Sequence, residues 1–143
     1  MTEGSISFFS ESISFKPKNI RILKKWLIST AASHNKKIEQ ISIICCNDNF
    51  LHKINVDFLS HDTYTDIITF DYSEKDSISG ELYISYERVK ENAKLLKLKT
   101  TQELHRVIIH GILHLCGFHD KSDKQKKQMR SQEDKALGSL ILP

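Results

Sequence analysis

Apolar residues recur along this chain with two periods, and each period marks an element. Residues 5–14 alternate weakly (Ile6, Phe8, then Ile13 and Phe15) and predict an edge strand. Pro17 suits the first turn of a helix, and Ile20, Leu23, Trp26, Leu27 and Ala31 continue at helical spacing to about Ser33. Residues 38–46 are rich in isoleucine and read as a strand. Asn47 then predicts an N-cap, before a helix with Phe50, Leu51, Ile54 and Phe58 on one face. The polar stretch 60–65 is a loop, 66–72 a strand, 73–79 a hairpin connection and 80–85 its partner strand. A helix follows to about Leu98. Thr100-Thr-Gln-Glu103 is a capping-box pattern opening another helix to Cys116, with Gly117 as a left-handed stop. Ser122-Asp-Lys-Gln125 is a second box, opening a last helix to about Leu137.

The order β, α, β, α, β, β, α, α, α mixes hairpin pairing with crossover helices. It predicts an α+β fold with a mixed sheet of about four strands packed with helices. No repeat, linker or low-complexity tract divides the chain, so residues 1–143 are expected to form a single domain.

Composition narrows the class. With 143 residues, 39% hydrophobic and 27% charged, the chain can bury a core without disulfides or a structural metal. No apolar run approaches the roughly 18 residues that span a bilayer, and the first 14 residues lack a basic segment followed by an apolar one. No membrane partner and a cytoplasmic location are the expectations. Three cysteines without a Cys-x-x-Cys pair read as buried free thiols. A net charge of +3 permits an RNA partner without demanding one, and the basic stretches 16–25 and 121–130 read on charge alone as solvated helix faces.

The segment that carries chemistry runs from His110 through His114 and Gly117 to His119 and Asp120. His110 and His114 lie one turn apart, so their rings project from one face and can bind one metal ion. Gly117 ends the helix and turns the chain, so that a ligand two or three residues later closes the site. Three protein ligands and an open position are the catalytic arrangement, since structural zinc sites have four. The helix is otherwise apolar nearly all round (Leu104, Val107, Ile108, Ile109, Ile112, Leu113) and should be central and buried. Glu103, Arg106, His110 and His114 form its polar stripe, which is costly unless it is paired or faces a cleft. Two hydrogen-bonded core histidines are the plain alternative. His105 lies on another face and reads as structural. The zinc-peptidase pattern His-Glu-x-x-His fails at Gly111, which removes its general base.

These residues resemble the YbeY family of metal-dependent endoribonucleases, the ribosomal RNA maturation factors of bacteria. The family signature His-Gly-x-Leu-His-Leu-x-Gly-Tyr-Asp-His is matched from His110 to Gly117, after which this chain reads Phe118-His119-Asp120. Ile54-Asn55, the stretch from Thr65 to Phe70, the stretch from Gly80 to Ser85, and Met129 and Glu133 resemble further family segments, covering the chain from about residue 40 onward. The resemblance implies one Zn2+ per chain held by His110, His114 and Asp120, the last standing where the family has its third histidine. His119 is the alternative third ligand. It implies an RNA substrate, a ribosomal RNA precursor, with the ribosome or its proteins as a further partner and no DNA. The family carries an arginine where this chain has Leu59, with Lys53, His61 and Arg88 as candidate replacements.

On this reading Asp66 orients the water or a ligand histidine, Glu81 supports the site, and Arg106 lies beside the cleft, ion-paired with Glu103. Tyr64 and Tyr72 are candidates for stacking on bases. A metallopeptidase, or an RNA-binding ribosome-associated factor without catalysis, is the alternative function.

Overall fold

The computed structural model describes residues 5–143. Four strands, β1 (Ile6–Ser10), β2 (Lys37–Cys46), β3 (Ile67–Asp71) and β4 (Ser77–Ser85), form one mixed sheet in the order β1-β2-β4-β3. β1 and β4 both run parallel to β2, and β3 is antiparallel to β4. Among the described residues five helices complete the α+β fold: α1 (Ile20–Ser33), α2 (Asp48–Leu59), α3 (Tyr86–Leu96), α4 (Thr100–Leu115) and α5 (Asp123–Ser139).

The strand period of two decides the layers. On β4, Ile78, Leu82 and Ile84 are fully buried and join Leu23, Leu27, Ile108 and Ile112 in the main core, which α1 and α4 cover. The opposite face carries a smaller cluster of Cys46, Leu51 and Ile68, covered by α2. α4 backs onto the sheet at Gly111, where a Cβ would meet Ile67 Cδ1 and both Leu82 methyls at 2.9 Å. Its polar stripe is thereby turned away from the sheet. The mainly polar helix α5 is fastened by Met129, Ala136 and a 2.8 Å hydrogen bond from Trp26 Nε1 to the Ala136 carbonyl. No helix among the described residues is long and apolar enough to cross a membrane.

The structure corrects several predicted boundaries. β1 stops at Ser10, and Ser12 takes a left-handed conformation at φ 65°. Pro17 lies ahead of α1, whose N-cap is Asn19, also left-handed. β4 begins at Ser77, three residues earlier than expected, because a Glu74–Ser77 bridge tightens the turn. Phe58 is 70% exposed and meets Phe70 only edge-on; α2 buries Leu51 and Asn55 instead. The capping box of α4 is shifted by one residue, the Gln102 side chain accepting from the Lys99 N–H at 2.9 Å. The Asn47 cap and the Ser122 box form as expected.

Candidate metal centre

α4 ends in a Schellman turn. The Gly117 N–H reaches the His114 carbonyl and the Phe118 N–H reaches the Leu113 carbonyl, both at 3.0 Å, with Gly117 at φ 106°. The turn sends the chain back over the histidine face. Asp120 then places Oδ2 3.2 Å from His110 Nε2 and 3.4 Å from His114 Nε2, while the two Nε2 atoms stand 3.0 Å apart.

The outer partners fix which nitrogens face inward. The Phe118 carbonyl can only accept, so His114 Nδ1–H donates to it at 2.9 Å. Glu133 Oε2 accepts from His110 Nδ1–H at 2.6 Å. With both rings neutral, as metal binding requires, each presents an Nε2 lone pair to the same point as the Asp120 carboxylate. Lone pairs gathered in this way repel one another unless a cation or a proton lies among them. Donors held tetrahedrally at about 2.0–2.1 Å from one ion stand roughly 3.3 Å apart, and the three separations here bracket that value. His110, His114 and Asp120 could thus hold a metal ion.

The surrounding charges sustain the arrangement. Burial disfavours a charged His110, but the hydrogen bond and charge of Glu133, with Asp120 and Asp66, outweigh it and hold the His110 pKa above its ordinary value. Burial, then the charge of His110, pushes His114 down. Burial also opposes ionisation of Glu133, yet His110 and Arg106 carry its pKa below the usual range. Arg106 donates to Glu133 at 3.1 Å and to Asp134 at 3.0 Å. Its expected pairing with Glu103 is only a 3.9 Å approach, because the α5 carboxylates take the guanidinium first. Glu103 is buried, its Oε1 has no hydrogen-bond partner, and burial followed by repulsion from Asp66 raises its pKa.

Of the other predicted residues, Asp66 lines the clefts on both sides of His110, and burial raises its pKa. His119 is exposed, on the wall of one cleft and outside the converging group. Glu81, expected beside the site, stands apart from it. The strand period turns its side chain to the opposite sheet face, where Tyr72 and Tyr83 donate to its carboxylate at 2.9 and 3.4 Å. Tyr72 is thereby removed from the site as well. Tyr64 stacks on His52 with ring centres 4.3 Å apart. Leu59 and His61 line one cleft, whereas Arg88 is held by Asp48 at 2.8 Å and Lys53 lines neither cleft. His105 is buried edge-on to Trp26, as a structural residue would be. Cys45 and Cys46 are buried free thiols, pushed up by burial to about 11 and about 12; Cys116 is only half-buried.

Two residues here were not given a role by the sequence. Glu133 orients His110, and its signal is a carboxylate one turn after Met129 on the face that α5 buries. Asn55 holds the loop leading into β3, donating from Nδ2 to the Thr63 carbonyl at 2.9 Å and to Thr63 Oγ1 at 3.1 Å. Its signal is burial of an amide on a helix face that should be apolar.

Comparisons with known proteins point the same way. The family model described as endoribonuclease YbeY matches residues 5–141, further toward the N-terminus than the motifs alone reach. A Porphyromonas gingivalis protein named endoribonuclease YbeY is 48% identical over 96% of this chain and 91% of its own length. A Christiangramia forsetii protein of the same name is 45% identical, covering 96% and 95%. Among solved structures, a Thermotoga maritima protein studied in solution superposes with a TM-score of 0.67 at 28% identity, over 94% of this chain and 88% of that one.

Proposed function

The chain belongs to the endoribonuclease YbeY family, and from that we propose that it is a zinc-dependent endoribonuclease that cuts single-stranded RNA during ribosomal RNA maturation in the cytoplasm. Its relatives carry the name endoribonuclease, which supports RNA as substrate; a ribosome or ribosomal protein as partner, and no role for DNA, belong to the same proposal. One observation carries the reading. Two histidine nitrogens and a carboxylate oxygen converge at 3.0–3.4 Å, each histidine locked by an acceptor behind it.

When bound, the zinc ion supplies positive charge that polarises a water and the scissile phosphodiester. The protein's residues prepare that chemistry. Glu133 and the Phe118 carbonyl keep both Nε2 atoms aimed inward. Asp66, beside His110 and with its pKa raised by burial, is suited to take the proton that the attacking water gives up. Arg106 keeps Glu133 ionised and so acts through it, as a positioning residue. Gly111 weighs against a peptidase, because a glutamate there would point into Ile67 and Leu82. Cleavage of a labelled single-stranded RNA, lost on chelation and in His114→Ala, tests the proposal; cleavage at the parent rate by that variant would end it.

A further inference from the structure

Two clefts flank the donor cluster, and they differ in charge. The one along β3 and the loop after α2, about 550 Å3, is lined by Leu59, His61, Thr63, Thr65 and His119 among others, and by no lysine or arginine. The one between α4 and α5, about 600 Å3, has Arg106 on one wall and Lys126, Lys127 and Arg130 on the other. These cations are not equally available. Arg106 is committed to Glu133 and Asp134. Arg130 approaches Glu133 at 3.7 Å. Lys126 and Lys127 are exposed, and neither makes an ion pair or a side-chain hydrogen bond among the described residues. On charge alone this stretch reads as a solvated face. Its position on the wall of a cleft that also contains His110 and Asp120 gives it a ligand.

We infer that Lys126 and Lys127 form a phosphate-binding rail that holds the backbone of single-stranded RNA as it runs through the α4–α5 cleft toward His110 and Asp120. The inference rests on the ribonuclease reading and adds the direction of approach. The ligand is a polyanion, because two unpaired ammonium groups stand at the rim. The carboxylates of Asp66, Glu103, Asp120 and Glu133 line the same cleft, which leaves the two exposed lysines as its places for a phosphate. The opposite cleft is lined by no lysine or arginine and so offers no permanent cation for this work.

The test is equilibrium binding of a fluorescein-labelled single-stranded RNA to the full chain as purified, followed by anisotropy across a salt series, with probe length checked on a gel. Three proteins are compared: the parent, K126Q/K127Q and K121Q/K124Q. Lys121 and Lys124 are exposed in the same stretch but line neither cleft, so the third protein loses equal charge away from the rail. K126Q/K127Q should bind roughly tenfold more weakly at low salt. Its slope of log K against log salt should be shallower by about 1.4, which is about 0.7 for each lost phosphate contact on a single strand. K121Q/K124Q should stay near the parent. Equal loss in both variants, or no loss in K126Q/K127Q, overturns the inference. Cleavage by the zinc-supplied parent is scored separately: binding that depends on Lys126 and Lys127 without cleavage defeats the ribonuclease reading alone, and cleavage with binding indifferent to those lysines defeats the rail alone.

Discussion

Glu133 on α5 accepts a 2.6 Å hydrogen bond from His110 on α4, and through it the last helix of the chain orients a histidine of the candidate metal site. The same carboxylate takes Arg106 at 3.1 Å, so both of its oxygens are engaged in a buried setting. Outer partners of this kind typically contribute 10–100-fold to metal affinity. Glu133→Gln should therefore weaken zinc binding by about that factor while leaving the far-ultraviolet circular dichroism of the chain unchanged. Competition against a fluorescent chelator gives the number, and an unaltered dissociation constant would show that Glu133 does not support the metal site.

Two neighbours are candidates for the proposed third ligand. Asp120 Oδ2 lies within 3.4 Å of both Nε2 atoms, whereas the adjacent His119 is exposed on a cleft wall. Asp120→Ala should lose stoichiometric zinc, and His119→Ala should retain it, by elemental analysis after dialysis. Full occupancy in Asp120→Ala would reverse the assignment.

Gly111→Ala tests how closely α4 lies on the sheet. The added methyl meets three side-chain carbons at 2.9 Å, one from the half-buried Ile67 and two from Leu82, which is fully buried in the core. Overpacking of this sort costs about 1–3 kcal/mol. The urea midpoint should fall accordingly, with an unchanged m-value; a midpoint equal to the parent's would mean that α4 stands off the sheet.

Glu103 gives a pH dependence with a defined sign. Burial and the nearby Asp66 hold its folded pKa above its ordinary value. A group raised in this way adds stability below its unfolded pKa, about 4.3, and that stability is lost as pH rises through the folded pKa. Glu103→Gln stays neutral throughout. The stability of the variant relative to the parent should therefore grow from pH 4 to pH 7. Urea denaturation at the two pH values measures it, and a difference that shrinks with pH would show that the 3.9 Å approach of Arg106 outweighs the burial.

The sequence made some of this legible for physical reasons. Helix spacing put His110 and His114 on one face, and Gly117 marked the turn that brings Asp120 back to them, because only glycine takes that backbone angle freely. Strand alternation predicted β2 and β4 but misjudged where β4 begins, since the Glu74–Ser77 bridge is a pairing between residues with no apolar signal. Partners distant along the chain were the least readable. Nothing local to Glu133 says that it reaches His110 rather than solvent, because that depends on how α5 docks, which Trp26 and Ala136 decide from opposite ends of the chain. Glu81 shows the reverse failure: a polar residue in a family-like motif was drawn toward the site, while the strand period already put it on the other face from Leu82.

We propose that one zinc ion at His110, His114 and Asp120 drives RNA cleavage. The most direct measurement is the cleavage rate of a single-stranded RNA by metal-stripped protein as zinc is added back. No cleavage should occur at the start, and the rate should rise until it levels off at one equivalent per chain. Undiminished cleavage by the stripped protein would contradict it.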